Sequence, residues 1–142
     1  MKKASIILII LIVAIIAIVF YQYKSYNIKL AETKRLNKEY ESFTNNEILG
    51  TSLITLINKA IDSNQKNSIK KDDKGLYIEN STTSIKIEVK FSESDNIFSM
   101  ESIGRIGSEQ FTANYGAFSF KCTQKTYHEK TNNIKYLLFE QI

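Results

Sequence analysis

The spacing of apolar positions changes several times along the chain, and each change marks an element. Ala4 to Phe20, ASIILIILIVAIIAIVF, is apolar without interruption. As an α-helix rising about 1.5 Å per residue it spans roughly 26 Å. Tyr21 to Tyr23 carry it toward the ~30 Å thickness of a bilayer core, with their rings at interface depth. The next stretch, YQYKSYNIKLAETKRLNKEYESFTNN, holds no Gly or Pro. Within it Leu36, Tyr40 and Phe43 recur at i, i+4 and i+7, the narrow stripe of an amphipathic helix. The membrane helix is therefore expected to continue as a stalk over residues 24–45. In GTSLITLINKAIDSN, Leu53, Leu56, Ile57, Ala60 and Ile61 share one helical face. Thr51 or Ser52 is placed to cap that helix and Asp62-Ser63-Asn64 to end it.

The period then falls to two. GLYIEN and SIKIEVKF, separated by Ser81-Thr82-Thr83, read as a hairpin in which Ile85, Ile87, Val89 and Phe91 alternate with Lys86, Glu88 and Lys90. One wet face predicts an antiparallel sheet covered on one side. A helical segment with Met100, Ile103, Ile106 and Phe111 as its apolar set follows. AFSFKCTQKTY and IKYLLFEQI, joined through His128–Asn133, close the chain as two more strands. The expected class is α+β: an N-terminal transmembrane helix running into a helical stalk, then a small antiparallel sheet with two packed helices. The divisions are a tail at 1–3, a span at 4–23, a stalk at 24–45 and a domain at 46–142.

Charge sharpens this layout. The net charge is +4, but residues 1–45 carry seven Lys/Arg against three Glu, and residues 46–142 carry twelve against twelve acidic residues. The globular part is thus neutral and the excess lies beside the bilayer, so nucleic acid is not an expected partner. The Lys2-Lys3 start would also suit a cleaved signal peptide. The apolar run, however, exceeds the usual 7–15 residues and leaves through IVFYQYKSY with no small-x-small site, which reads as an uncleaved signal anchor. The positive-inside rule divides: Lys2 and Lys3 precede the span, while Lys24, Lys29, Lys34, Arg35 and Lys38 follow it. The charges pressed against the start of the helix favour a cytoplasmic tail and an extracytoplasmic domain. A single cysteine excludes an internal disulfide framework.

Candidate chemistry adds little. Cys122 and His128 are unique, but six residues apart on a straight strand they lie about 20 Å from each other. Cys122 is expected on the inner face with Phe118 and Phe120, and His128 at a polar surface turn. One His and one Cys do not make a zinc site. Asp72-Asp73, between lysines and before Gly75, suits a solvated hairpin tip, and DSNQKNSIKKDD lacks the alternation of a calcium loop. No catalytic, cofactor-binding or metal-binding residue is expected. IGRIGS resembles the Gly-x-x-Gly motif of KH domains over six residues, which would make Gly104, Arg105 and Gly107 a nucleic-acid clamp. Glu101 and Glu109 flank Arg105, however, and two glycines three apart also serve close helix packing or a helix break.

A hydrophobic N-terminal helix, an extended polar helix and a small β domain together resemble pilin-like and pseudopilin-like proteins, including the anchored proteins of Tad-type pili. They also resemble small single-span membrane-anchored proteins of Gram-positive bacteria. KKASIILIILI has neither the Gly nor the Glu of a prepilin leader, so no cleavage or filament assembly is implied. The resulting expectation is a non-enzymatic, membrane-anchored extracytoplasmic interaction or assembly module. Its contact with a protein partner or a second copy is expected through Leu36, Tyr40 and Phe43. The alternatives are a cytoplasm-facing adaptor and an anchored enzyme.

Overall fold

The computed structural model describes residues 2–142 and divides the chain into two compact units, Met1–Arg35 and Leu36–Ile142. Helix α1, Lys2–Thr44, belongs to both. In the first unit every apolar side chain from Ile6 to Phe20 is exposed. The helix is long and apolar enough to cross a membrane, as an unbroken uncharged run requires in a medium that offers its backbone no other hydrogen-bond partners.

The second unit is α+β. After the last turns of α1 come β1 (Ile48–Leu49), α2 (Gly50–Lys66), β2 (Lys86–Lys90), β3 (Ile97–Ser99), α3 (Met100–Ile106), α4 (Ser108–Tyr115), β4 (Ser119–Tyr127) and β5 (Ile134–Gln141). The sheet order is β1-β4-β5-β2-β3. It is mixed rather than antiparallel, because β2 and β5 run parallel, with Ile87 beside Leu137 and Val89 beside Phe139. Alternation shows which face of a strand is buried but not which strand lies beside it. The long excursion through β3, α3, α4 and β4 is the crossover a parallel pair needs. β5 is also central, which explains the consecutive Leu137-Leu138-Phe139 in its sequence.

The expected hairpin of GLYIEN with SIKIEVKF does not form. Tyr77 bridges back to Lys71, and the Ile78 amide donates to the Lys70 carbonyl. The tip is tied by Asp72 Oδ1, which accepts from the Lys74 and Leu76 amides, so the Asp72-Asp73 turn is a hairpin tip as its composition suggests. Asn80 Oδ1 then accepts from the amides of Thr82, Thr83 and Ser84 and turns the chain toward β2. Helix α2 starts at Gly50 without a side-chain cap, so neither Thr51 nor Ser52 serves as one. It also continues past Asn64. Asn64 is fully buried and clamps Ile85 from both sides: Nδ2 donates to the Ile85 carbonyl (2.8 Å) and Oδ1 accepts its amide (2.9 Å).

The core lies between the sheet and helices α2–α4. Leu53, Leu56 and Ile57 of α2 meet Ile87 and Val89 of β2 and Leu137 and Phe139 of β5, all without solvent exposure. Each such side chain contributes about 1.5–3 kcal/mol when withdrawn from water. At one end Phe91 packs against Tyr115 at 4.5 Å, Phe98 at 5.3 Å and Phe120 at 5.9 Å between ring centres. Phe118, expected on the inner face, is instead exposed, because it precedes β4.

Leu36, Tyr40 and Phe43 are not a free stripe. Tyr40 is only 6% exposed and belongs to the core, Phe43 packs against that core, and Leu36 is half-buried. Asn37 fixes this segment: its Nδ2 donates to the Asn132 carbonyl (2.6 Å) and its Oδ1 accepts the Ile134 amide (3.0 Å). A stripe too narrow to stand alone in water is covered by the chain's own domain. The folded unit thus begins at Leu36, and the last turns of the expected stalk belong to it.

Candidate functional site

A cleft of about 370 Å³ opens where α2, α3 and the 71–77 turn meet, lined by Asn58, Ile61, Lys71, Tyr77, Glu101, Gly104 and Arg105 among others. Its walls come from segments far apart in sequence. Glu101, in the first turn of α3, is 8% exposed, and its Oε1 accepts the Tyr77 amide at 2.9 Å. Glu101 Oε2 and the Tyr77 hydroxyl are buried and have no hydrogen-bond partner among the described residues. The Lys71 ammonium rests over the Tyr77 ring, 4.6 Å from its centre, a cation–π contact. Arg105, one turn after Glu101, directs its guanidinium to Ser102 Oγ at 3.4 Å.

The two glycines of IGRIGS have separate tasks. Gly104 lies inside α3 against α2, where an added Cβ would come within 2.8 Å of Ile61 Cδ1, the movable end of a side chain, so a small residue there would displace that methyl group. Gly107 has φ +90° and separates α3 from α4, a conformation that L side chains rarely adopt. Gly104, Arg105 and Ile106 are therefore helical, and the four residues do not form the open turn that a backbone clamp requires. No family model, curated protein or solved structure matches this chain.

Cys122 and His128 are engaged apart from each other. The Cys122 thiol donates to the Gln124 carbonyl at 3.4 Å beside a bulge in β4, and burial pushes its pKa up. His128 is buried, not at the surface: Nε2 donates to the Ser84 carbonyl at 2.7 Å, while its backbone closes the turn to Asn132 and Asn133. Its polar neighbours in sequence, Glu129 and Lys130, are exposed and conceal that position. Among the described residues no three His, Cys, Asp or Glu side chains gather as a metal cluster.

On the other face of the sheet, Glu88 accepts from the Tyr136 hydroxyl at 2.7 Å and pairs with Lys86 at 2.6 Å. Burial alone would raise the Glu88 carboxyl, but the Lys86 ammonium and the Tyr136 hydroxyl outweigh it and hold the group below its usual range. Its contribution to stability is therefore present above the ordinary carboxylate pKa and is lost as pH falls through the depressed value. Tyr136→Phe should move the Glu88 titration upward and cost about 1 kcal/mol at neutral pH, shrinking toward zero in acid. Carboxyl-carbon NMR of Glu88 across the acid range checks the shift. An unmoved midpoint would assign the depression to Lys86 alone.

Proposed function

We propose that this protein is a non-enzymatic, membrane-anchored module whose folded unit faces the outside of the cell and acts by contact with a protein partner or a second copy. One observation carries the reading: from Ala4 to Tyr23 helix α1 is exposed and carries no charge, and near its other end the same helix contributes Tyr40 to the core of a folded unit. A helix of that kind needs lipid or protein around it, and its continuity makes it a tether of the folded unit. Since Tyr40 and Phe43 are committed to the core, the partner contact is assigned to other surfaces.

A second reading, a cytoplasm-facing adaptor, is favoured by Lys24, Lys29, Lys34, Arg35 and Lys38 following the span. One labelling experiment separates the two. A Glu129→Cys variant in a Cys122→Ala background places a thiol at an exposed position. A thiol reagent that cannot cross membranes should label it in intact, wall-stripped cells. Labelling that appears only after lysis reverses the orientation, and recovery of the chain from the soluble fraction removes the anchor altogether.

A further inference from the structure

The cleft between α2, α3 and the 71–77 turn carries a charge arrangement that the fold itself does not complete. Glu101 is more than nine-tenths buried, yet only Oε1 is bonded, to the Tyr77 amide. Among the described residues neither of its oxygens is paired with a cation, although two cations line the same cleft. Arg105 stands at the i+4 position from which a helical Glu–Arg pair ordinarily forms, but bonds Ser102 instead. Lys71 lies on the Tyr77 ring. A buried carboxylate oxygen and a buried phenol without partners are costly to fold, and both belong to residues lining one cleft.

We propose that this cleft binds a small zwitterion bearing an ammonium group and a carboxylate: an α-amino acid or the end of a peptide. The ammonium donates to Glu101 Oε2 and the Tyr77 hydroxyl, and the carboxylate lies against Arg105 and Lys71. Each half of the arrangement excludes another class. A simple anion such as phosphate would meet the Glu101 charge, and a simple cation would meet Lys71 and Arg105. A zwitterion satisfies both signs and adds no net charge. The volume of about 370 Å³ falls within the range of small-ligand sites. Glu101 Oε2 and the Tyr77 hydroxyl do not touch solvent as the side chains stand, so binding requires a side chain to move. Lys71 is exposed and rests on the Tyr77 ring, so a movement of that ring toward the ligand also frees the Lys71 ammonium for the ligand carboxylate.

The test uses the full chain, isotope-labelled in detergent micelles, with four probes: alanine, alanyl-alanine, N-acetylalanine and alaninamide. At about 10 mM, enough to saturate a site with a Kd near 1 mM, alanine or alanyl-alanine should shift the amide signals of Tyr77, Glu101 and Gly104. N-acetylalanine, which lacks the ammonium, and alaninamide, which lacks the carboxylate, should bind about tenfold more weakly or worse. Tighter binding of alanyl-alanine than of alanine assigns a peptide end, and the reverse a free amino acid. Glu101→Gln keeps an acceptor for the Tyr77 amide and should weaken the zwitterion about tenfold. Arg105→Ala should weaken alanine but leave alaninamide unchanged. Tyr77→Phe, which removes only the hydroxyl, should also weaken the zwitterion and keeps the test decisive if E101Q disturbs the fold. No shifts with any probe, shifts confined to other regions, or equal binding of N-acetylalanine would overturn the proposal. The membrane orientation plays no part in this outcome.

Discussion

Tyr40→Ala should lower the stability of the Leu36–Ile142 unit by about 3–5 kcal/mol, the range for truncating a large buried aromatic side chain. Tyr40 is 6% exposed and forms part of the core, so its removal leaves a cavity under the end of α1. A domain of this size is held by only about 5–15 kcal/mol in all. The loss would therefore shift the urea midpoint of the full chain in micelles by a large fraction, read from fluorescence or amide signals of residues 46–142. Lys38→Ala, on the exposed side of the same helix, should stay within about 0.5 kcal/mol. Equal and small effects at both positions would mean that the end of α1 is not part of the core and would return Leu36, Tyr40 and Phe43 to the role of a free stripe.

The second large effect is expected at Asn64. Asn64→Leu fits the space by size but leaves the Ile85 amide and carbonyl without partners in a buried place. At about 1–3 kcal/mol for each of these two unsatisfied groups, the change should cost roughly 2–6 kcal/mol. Asn64→Asp is no rescue, because it keeps the acceptor and replaces the donor with a charge facing the Ile85 carbonyl. Hydrogen exchange gives the specific reading: the Ile85 amide should lose protection before the amides of β4 and β5 do. Uniform loss across the unit, with Ile85 no worse than its neighbours, would count against the clamp as the cause.

Asn64 also shows where the sequence stops being legible. As a polar residue after an apolar helical face it reads as a helix terminator, and nothing local says that its amide will meet a backbone 21 residues away. Asn37 is hidden in the same way, in contact with Asn132 and Ile134 across more than 90 residues. Periodicity, by contrast, carried the elements well. The α2 face of Leu53, Leu56, Ile57 and Ala60 and the inward Ile87 and Val89 are all buried as their spacing requires. Strand partners were not legible, because β5 pairs with β2 through a choice among strands rather than through a pattern within one. The cleft was invisible for a further reason. Glu101 and Tyr77 are ordinary residues in sequence, and only the meeting of an amide with a carboxylate across 24 positions makes them neighbours.

The central place of β5 has a consequence for the order of events as the chain is made. Of the five strands it is synthesised last, yet both halves of the sheet depend on it: β1 and β4 on one side, β2 and β3 on the other, are joined in one hydrogen-bonded sheet through β5. A growing chain that has reached β4 can hold only two separate strand pairs, each with an open edge and each too small to be stable alone. The sheet closes in a single late step across long sequence separations, a slow kind of closure. By then the long apolar helix has already been made, so the sheet closes after the segment that is apolar enough to cross a membrane is complete. A chain stopped short of Ile134 would carry the long apolar helix and no closed sheet, with unpaired edges open to the next such chain or to a protease.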